Sequence, residues 1–458
     1  MLPMKRLLTL LCSAGLLTAA TPGHAAPAGA ADLNRIQHIV VIMLENHSFD
    51  SLYGRFPGAE GSADADPEVS MQSDLDGRLY ETLPPVMRAD KDGKAVADSR
   101  FPPNLPNDPF DIAAYVPADQ KMSDLPHRFF LHQQQIDGGR MDHFVALSGV
   151  GALPMGYYDA GKLPLGRYAA RYTLADHFFQ AAFGGSFLNH QWLICGCTPK
   201  FSDAPKDMVT ELDRDGKITV ERAVTPDGYA VNTVQPYAPP YDPKAGDAKK
   251  RLPAQLQSTI GDRLSEKNVR WAWYSGGWNN AVAGHADATF QYHHQPFAYY
   301  HNYGPGSKGR AEHLKDATEL LRDIDQGKLP AVAFYKPIGA LNEHPGYADV
   351  LSGEQHVADL VAKIEQSPLW KDSVIIVTYD EYGGFWDHVP PPRVDDFGPG
   401  TRVPTLVISP FAKRGFVDHT VYDTTSILKL IELRHGLKPL GARDEAADGM
   451  LNAFEFNP

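Results

Sequence analysis

Three short runs carry carboxylates, amides and imidazoles that could meet at one point. Glu45-Asn46-His47-Ser48-Phe49-Asp50 follows one apolar stretch, and Asp380-Glu381-Tyr382-Gly383-Gly384 follows another. Asn342-Glu343-His344-Pro345-Gly346 stands a few residues beyond a third. Glu45, Asn46, Asp380 and Glu381 offer oxygen and no thiolate, which suits Ca²⁺, Mg²⁺ or Mn²⁺ better than a structural zinc. The adjacent carboxylates of Asp380 and Glu381 repel one another unless a cation or a proton neutralises them. A solvated acidic turn is the alternative. The apolar run before the pair and the Gly-Gly after it, which permits close backbone approach to a ligand, argue against that. Any one strand-end carboxylate often only caps a helix. The weight lies in three such ends converging.

Ser186, in Gly184-Gly185-Ser186-Phe187-Leu188-Asn189-His190, is the nucleophile candidate. The glycines permit a sharp turn that leaves Ser186 at the N-terminus of a helix, where free N–H groups favour an oxyanion. A serine there also serves as a common helix cap. The G-x-S-x-G pattern of serine esterases is absent around it. Of the 18 histidines, His127, His344, His388 and the doublet His293-His294 stand in suggestive places. Adjacent imidazoles make a strong oxyanion site, and imidazolium groups supply the positive field that an anionic substrate needs in an acidic chain.

Alternating elements must hold these groups. The stretch 36–44 is nearly continuous and β-branched, as in the interior of a parallel sheet. Stretches 331–335, 374–379, 404–408 and, less regularly, 269–274 read the same way. Helical spacing follows over 311–326, 355–364 and 424–435, with Gly327 and Gly436 as stops. Strands alternating with helices predict an α/β fold, a parallel or mixed sheet covered on both faces. Ligands then collect outside the carboxyl ends of the strands, where the three runs lie. Residues 51–125 read as long ordered loop. A polar insertion over 199–255 carries the turn signals Asp213-Arg214-Asp215-Gly216 and Pro226-Asp227-Gly228 of a small β-hairpin element.

The chain has 458 residues, 43 Lys plus Arg against 56 Asp plus Glu, and a formal charge of −13. That balance excludes a general nucleic-acid binder. Residues 1–25, with basic Lys5 and Arg6, an apolar stretch and small residues around Ala25, have the pattern of a secretory leader. The expectation is export to the periplasm or beyond, with 26–458 as one catalytic domain. No later apolar run is long enough to span a bilayer, so stable membrane insertion is not expected, although transient lipid contact is open. Cys195 and Cys197 are the cysteines left after the leader. A disulfide across one intervening residue is expected to be strained, so they read as buried packing residues.

Taken together, the motifs resemble the bacterial phosphoesterase family that contains non-haemolytic phospholipases C and a group of secreted acid phosphatases. Glu45 to Asp50 is similar to its opening E-N-x-S-F-D block, with His47 where arginine is commoner. Asp137-Gly138-Gly139-Arg140-Met141-Asp142, Asp380 to Gly384 and Asp387-His388-Val389-Pro390-Pro391-Pro392 follow in family order. The resemblance implies an alkaline-phosphatase-like three-layer α/β/α sandwich. It also implies a serine nucleophile assisted by one divalent metal ion (Ca, Mg, Mn or Zn), held by Glu45, Asn46, Ser186, Asp380 and Glu381. His127, His293, His294 and His344 would ring the phosphoryl group. The sequences around His127 and His293-His294 look more like the acid phosphatase branch. The leading expectation is therefore an acid phosphatase that passes through a phosphoserine, with activity falling as pH rises through about 6.5, the unperturbed histidine value. The alternatives are a phospholipase C with an apolar entrance from Phe129, Phe130, Trp278 and Phe385, and a non-catalytic secreted protein that binds a metal or an anion.

Overall fold

The apolar stretches become one eight-stranded sheet. In the computed structural model, which describes residues 32–456, the strands are β1 (His38–Leu44), β2 (Thr173–Ala175), β3 (Trp271–Ser275), β4 (Leu314–Asp316), β5 (Val332–Lys336), β6 (Ser373–Tyr379), β7 (Thr405–Ile408) and β8 (Phe416–Asp418). The expected leader lies outside the described residues. The sheet order is β4-β3-β5-β1-β6-β7-β2-β8. All neighbours pair in parallel except β7, which runs against both β6 and β2. Successive side chains of a strand point to opposite faces. Every residue of β5 and β6, and all of β1 but His38, is buried. Both faces of the central strands are therefore covered, as the α/β sandwich requires.

The helices that matter for the site are α1 (Phe49–Tyr53), α2 (Phe129–Ile136), α3 (Ser186–Cys195), α4 (Ala317–Asp325), α5 (Val350–Glu365) and α6 (Thr424–His435). The helix expected over 311–326 is interrupted. Leu314–Asp316 instead extends the sheet as β4, and Asp316 then caps α4 by accepting the Thr318 N–H at 3.0 Å while the Glu319 carboxylate accepts the Asp316 N–H at 3.0 Å. This reciprocal cap is written in the sequence as Asp316-x-x-Glu319; the periodicity of Leu314, Ala317, Leu320 and Ile324 hid it.

Cys195 and Cys197 form a disulfide, against the expectation of two free packing residues. The reason is local. Gly196 ends α3 in the left-handed region (φ 55°), so the chain turns back and brings the two Cα atoms to 5.1 Å, within the span a disulfide bridges.

In the polar insertion, Glu211–Leu212 pairs antiparallel with Ile218–Val220 across the expected turn at 213–216. The insertion also docks on the rest of the fold. The Glu221 carboxylate accepts the N–H groups of Phe130 (3.0 Å) and Leu131 (3.1 Å), and Asn232 Oδ1 accepts that of Phe129 (3.0 Å). An anion on the free donors of a helix N-terminus is favourable, so the insertion is held against the start of α2, next to His127.

Candidate active site

The register of the central strands brings the carboxylates together. Leu44 pairs with Tyr379 and Ile42 with Tyr335, so Glu45, Asp380 and Lys336 leave the same edge at nearly the same height. Asn46 takes the left-handed conformation (φ 65°), and its N–H donates to Asp380 Oδ1 at 3.2 Å. Asparagine tolerates that backbone better than most residues. Gly383 is needed because a Cβ there would lie 2.2 Å from the Asn46 carbonyl oxygen, and one on Gly384 would lie 2.7 Å from Leu125 Cβ. The close approach expected of the Gly-Gly pair is thus to neighbouring protein segments rather than to a ligand.

Glu45, Asp380 and Glu381 are fully buried. Asp380 Oδ1 also accepts the Glu381 N–H at 2.8 Å, and Glu381 Oε2 accepts that of Gly383 at 2.6 Å. Burial and the neighbouring Asp380 charge push the Glu381 carboxyl well up. Burial pushes Asp380 up to about 6, with Lys336 opposing it. Burial also works to raise Glu45, but the charges of His294 and Lys336 hold it well below the usual range.

Ser186 begins α3, with Gly185 rather than Ser186 at the cap position. The serine is therefore free of the capping role, and its Oγ lies 3.4 Å from Asn46 Oδ1. Gly185 allows the His127 loop to lie against this turn, since a Cβ would meet the His127 carbonyl at 2.7 Å. Ser186, His127, His293, His344 and Tyr347 line one cavity of about 820 Å³, whose outer wall includes Val231, Asn232 and Thr233 of the insertion. His127 donates from Nδ1 to the Leu125 carbonyl at 2.5 Å, which turns Nε2 towards Asn46 (3.4 Å) and Glu381 (3.7 Å). His344 is fixed from Nδ1 by the Pro345 carbonyl and by stacking on Tyr347, with ring centres 4.3 Å apart. The His294 ring lies 4.8 Å from that of His293, and its Nε2 lies against Glu45 Oε1.

Four contributors were given no role from the sequence alone. Lys336, fully buried, places Nζ 2.9 Å from Glu45 Oε1 and 3.8 Å from Asp380 Oδ2. Its signal was a lysine closing an otherwise apolar strand. His190 is one helical turn beyond Ser186, donates to the Ser186 carbonyl at 2.7 Å and lies 3.7 Å from Asp380 Oδ2. Its i+4 spacing from Ser186 was legible. Tyr347 donates to Glu45 Oε2 at 2.9 Å. Glu343, at φ 76°, accepts the Tyr379 hydroxyl at 2.7 Å beneath His344.

The residues fit a divalent cation. Asp380 Oδ2, Glu381 Oε1 and His190 Nε2 are buried atoms that make no hydrogen bond, and they lie beside Glu45 Oε1, which faces Lys336 and His294. Such atoms are costly unless a partner takes them up. Glu45 groups with His293 and His294, and also with His190 and Asp380, with ligand atoms within 4.8 Å of one another. Imidazole nitrogens therefore lie within reach of the carboxylates that could hold a cation.

The Phosphoesterase family profile matches residues 36–438. Phospholipase C B of Mycobacterium tuberculosis is 25% identical over 95% of this chain and 79% of its own length. The non-hemolytic phospholipase C of Pseudomonas aeruginosa is 23% identical over 93% of this chain, which spans 58% of that longer protein. A crystal structure of a protein in the alkaline phosphatase superfamily from Vibrio parahaemolyticus overlaps 72% of this chain and 73% of its own, at 9% identity and a TM-score of 0.36. The blocks that start at Glu45 and Asp380 meet at the carboxyl edge of the sheet, and the profile spans nearly all the described residues. The chain therefore belongs to the Phosphoesterase family and is a hydrolase acting on phosphoric ester bonds.

Proposed function

We propose that Ser186 is the nucleophile of a metal-dependent phosphomonoesterase, exported by its leader and working as one catalytic domain over 26–458. The observation that carries this reading is the Ser186 hydroxyl, uncommitted to capping, at the N-terminus of a buried helix and facing a cavity lined by His127, His293 and His344. Glu45, Asn46, Asp380 and Glu381 would hold the cation beside Ser186. When bound, the cation supplies Lewis-acid chemistry that lowers the pKa of the serine hydroxyl and offsets phosphoryl charge. The free N–H groups that start α3 face the same position and favour the anionic substrate. Attack by Ser186 Oγ forms a phosphoserine and expels the alcohol, and water then hydrolyses the phosphoserine. His344 donates the proton to the leaving oxygen, while His127 and His293 stabilise the phosphoryl oxygens.

The monoester reading rests on the cavity wall. Of the aromatics expected to form a lipid entrance, Phe129, Trp278 and Phe385 are core residues, 3%, 3% and 0% exposed. Phe130 lines a different groove, with Pro390 to Pro392. A second reading, phospholipase C-type cleavage of a phosphodiester, is favoured by the names of the relatives. The discriminating assay gives purified protein nitrophenyl phosphate and nitrophenyl phosphocholine, with and without chelator. Faster turnover of the monoester, lost on chelation, supports the first reading; turnover of the phosphocholine ester alone replaces it with the second.

The pH expectation changes with the environment of the histidines. Burial pushes His127 down and His293 well down. An activity that needs their imidazolium forms therefore declines as pH rises through a value below 6.5, rather than at 6.5 itself.

A further inference from the structure

A second cluster of ligand-type side chains lies on the same edge of the sheet, outside the Ser186 cavity. Asp176 and His177 follow β2, His419 follows β8, and Glu60 comes from the loop beyond α1. The Asp176 carboxylate is fully buried. Its Oδ1 lies 3.0 Å from His177 Nδ1 and its Oδ2 2.8 Å from His419 Nδ1. The three ligand atoms lie within 4.8 Å of one another.

We propose that Asp176, His177 and His419 form a second metal site, for a zinc-class divalent ion, that staples the segments after β2 and β8 together. Imidazole with carboxylate selects Zn²⁺, Ni²⁺ or Cu²⁺ over Ca²⁺ and Mg²⁺. The nitrogen–oxygen separations approach the edge of about 3.3 Å of a tetrahedron with ~2.0 Å bonds. With a cation on Nδ1, each imidazole carries its proton on Nε2. His177 Nε2 already faces Glu60 Oε2 at 3.3 Å, the carboxylate–histidine–metal arrangement that orients a ligating ring. The Glu60 N–H donates to Asp176 Oδ2 at 2.7 Å and steadies the carboxylate. The His419 side chain is 60% exposed and Glu60 57%, so a cation has an entry path from solvent.

The staple would reach further than its ligands. The backbone carbonyls of Asp176 and Glu60 both accept from Arg402 Nη1 at 2.8 Å, and the same guanidinium holds Asp50 and Asp387.

The test strips the full-length mature protein of metal and titrates it with zinc against a chromophoric chelator. It compares wild type, His419→Asn, and the double variant His177→Asn with His419→Asn. Wild type is expected to take up one zinc equivalent more than the double variant. The single variant should bind that equivalent at least tenfold more weakly, with phosphoesterase turnover within twofold of wild type. In parallel, Glu45→Gln with Asp380→Asn, which alters the candidate catalytic centre, should retain this equivalent. Equal zinc stoichiometry and affinity in wild type and the double variant would overturn the proposal. The two histidines would then be only hydrogen-bond donors to Asp176.

Discussion

Lys336 and Ser186 differ in how much of their role the sequence reveals. Ser186 is announced by the glycines before it, which allow the turn and leave the serine at the helix start with nothing to cap. Replacing it with alanine is expected to lower turnover by at least about 10³-fold, as for nucleophiles elsewhere, with folding retained. Steady-state kinetics and the loss of acid-stable phosphoserine on the protein would check this. Lys336 is a single lysine whose partners are 291 and 44 residues away in sequence. Its ammonium is the fixed positive charge facing Glu45 and Asp380. Lys336→Met leaves those carboxylates without it, at a cost of about 3–5 kcal/mol for breaking a buried pair. Denaturant unfolding should show this loss in chelator and a smaller one with saturating divalent ion. An equal loss in both conditions would argue against a cation between the carboxylates.

At the scale of elements, the loops after β1 and β6 are tied to each other by Arg402. Its Nε donates to Asp387 Oδ1 at 2.8 Å and its Nη2 to Asp50 Oδ1 at 3.2 Å; the Asp50 carboxylate in turn accepts from His388 Nδ1 at 2.6 Å. The Asp387-His388 block was legible as a motif, but its purpose was not. Arg402 sits in an unremarkable loop, and its acceptors come from separate segments. Burial works to lower His388, but the Asp50 hydrogen bond and charge outweigh it, so its pKa lies above 6.5. Burial works to raise Asp50, but Arg402 and His388 hold it below 3.8. The histidine contribution to stability is thus fully present below pH 6.5 and lost as pH rises through the folded value. That of Asp50 is present above pH 3.8 and lost as pH falls through its folded value. His388→Asn should therefore destabilise the protein more at pH 5.5 than at pH 9, read as the change in unfolding midpoint. An equal effect at both would mean the imidazolium is not the stabilising form.

For the whole molecule, the carboxyl pair Glu343 and Glu354, beneath β6, sets a different pH limit. Burial and the Glu354 charge push Glu343 well up, and burial takes Glu354 from 4.5 to about 8. A folded pKa above the unfolded one stabilises at low pH, and the gain disappears as pH rises from 4.5 through about 8. Glu354→Gln is expected to flatten the decline of melting temperature across that window. An unchanged slope would assign the decline elsewhere. No helix among the described residues is long and apolar enough to cross a membrane.

Five of the eight strands of the sheet, the place of Ser186 at a helix start and the carboxylate ends were readable from residue type and spacing, because burial of β-branched runs and the turn chemistry of glycine act over a few residues. Register, the reversal of β7, the docking of the 199–255 insertion by Glu221, and the convergence of Lys336, His190 and Arg402 on their carboxylates were decided only in the folded chain. They depend on which segments lie side by side across hundreds of residues. There, desolvated charges must find partners that no local pattern names.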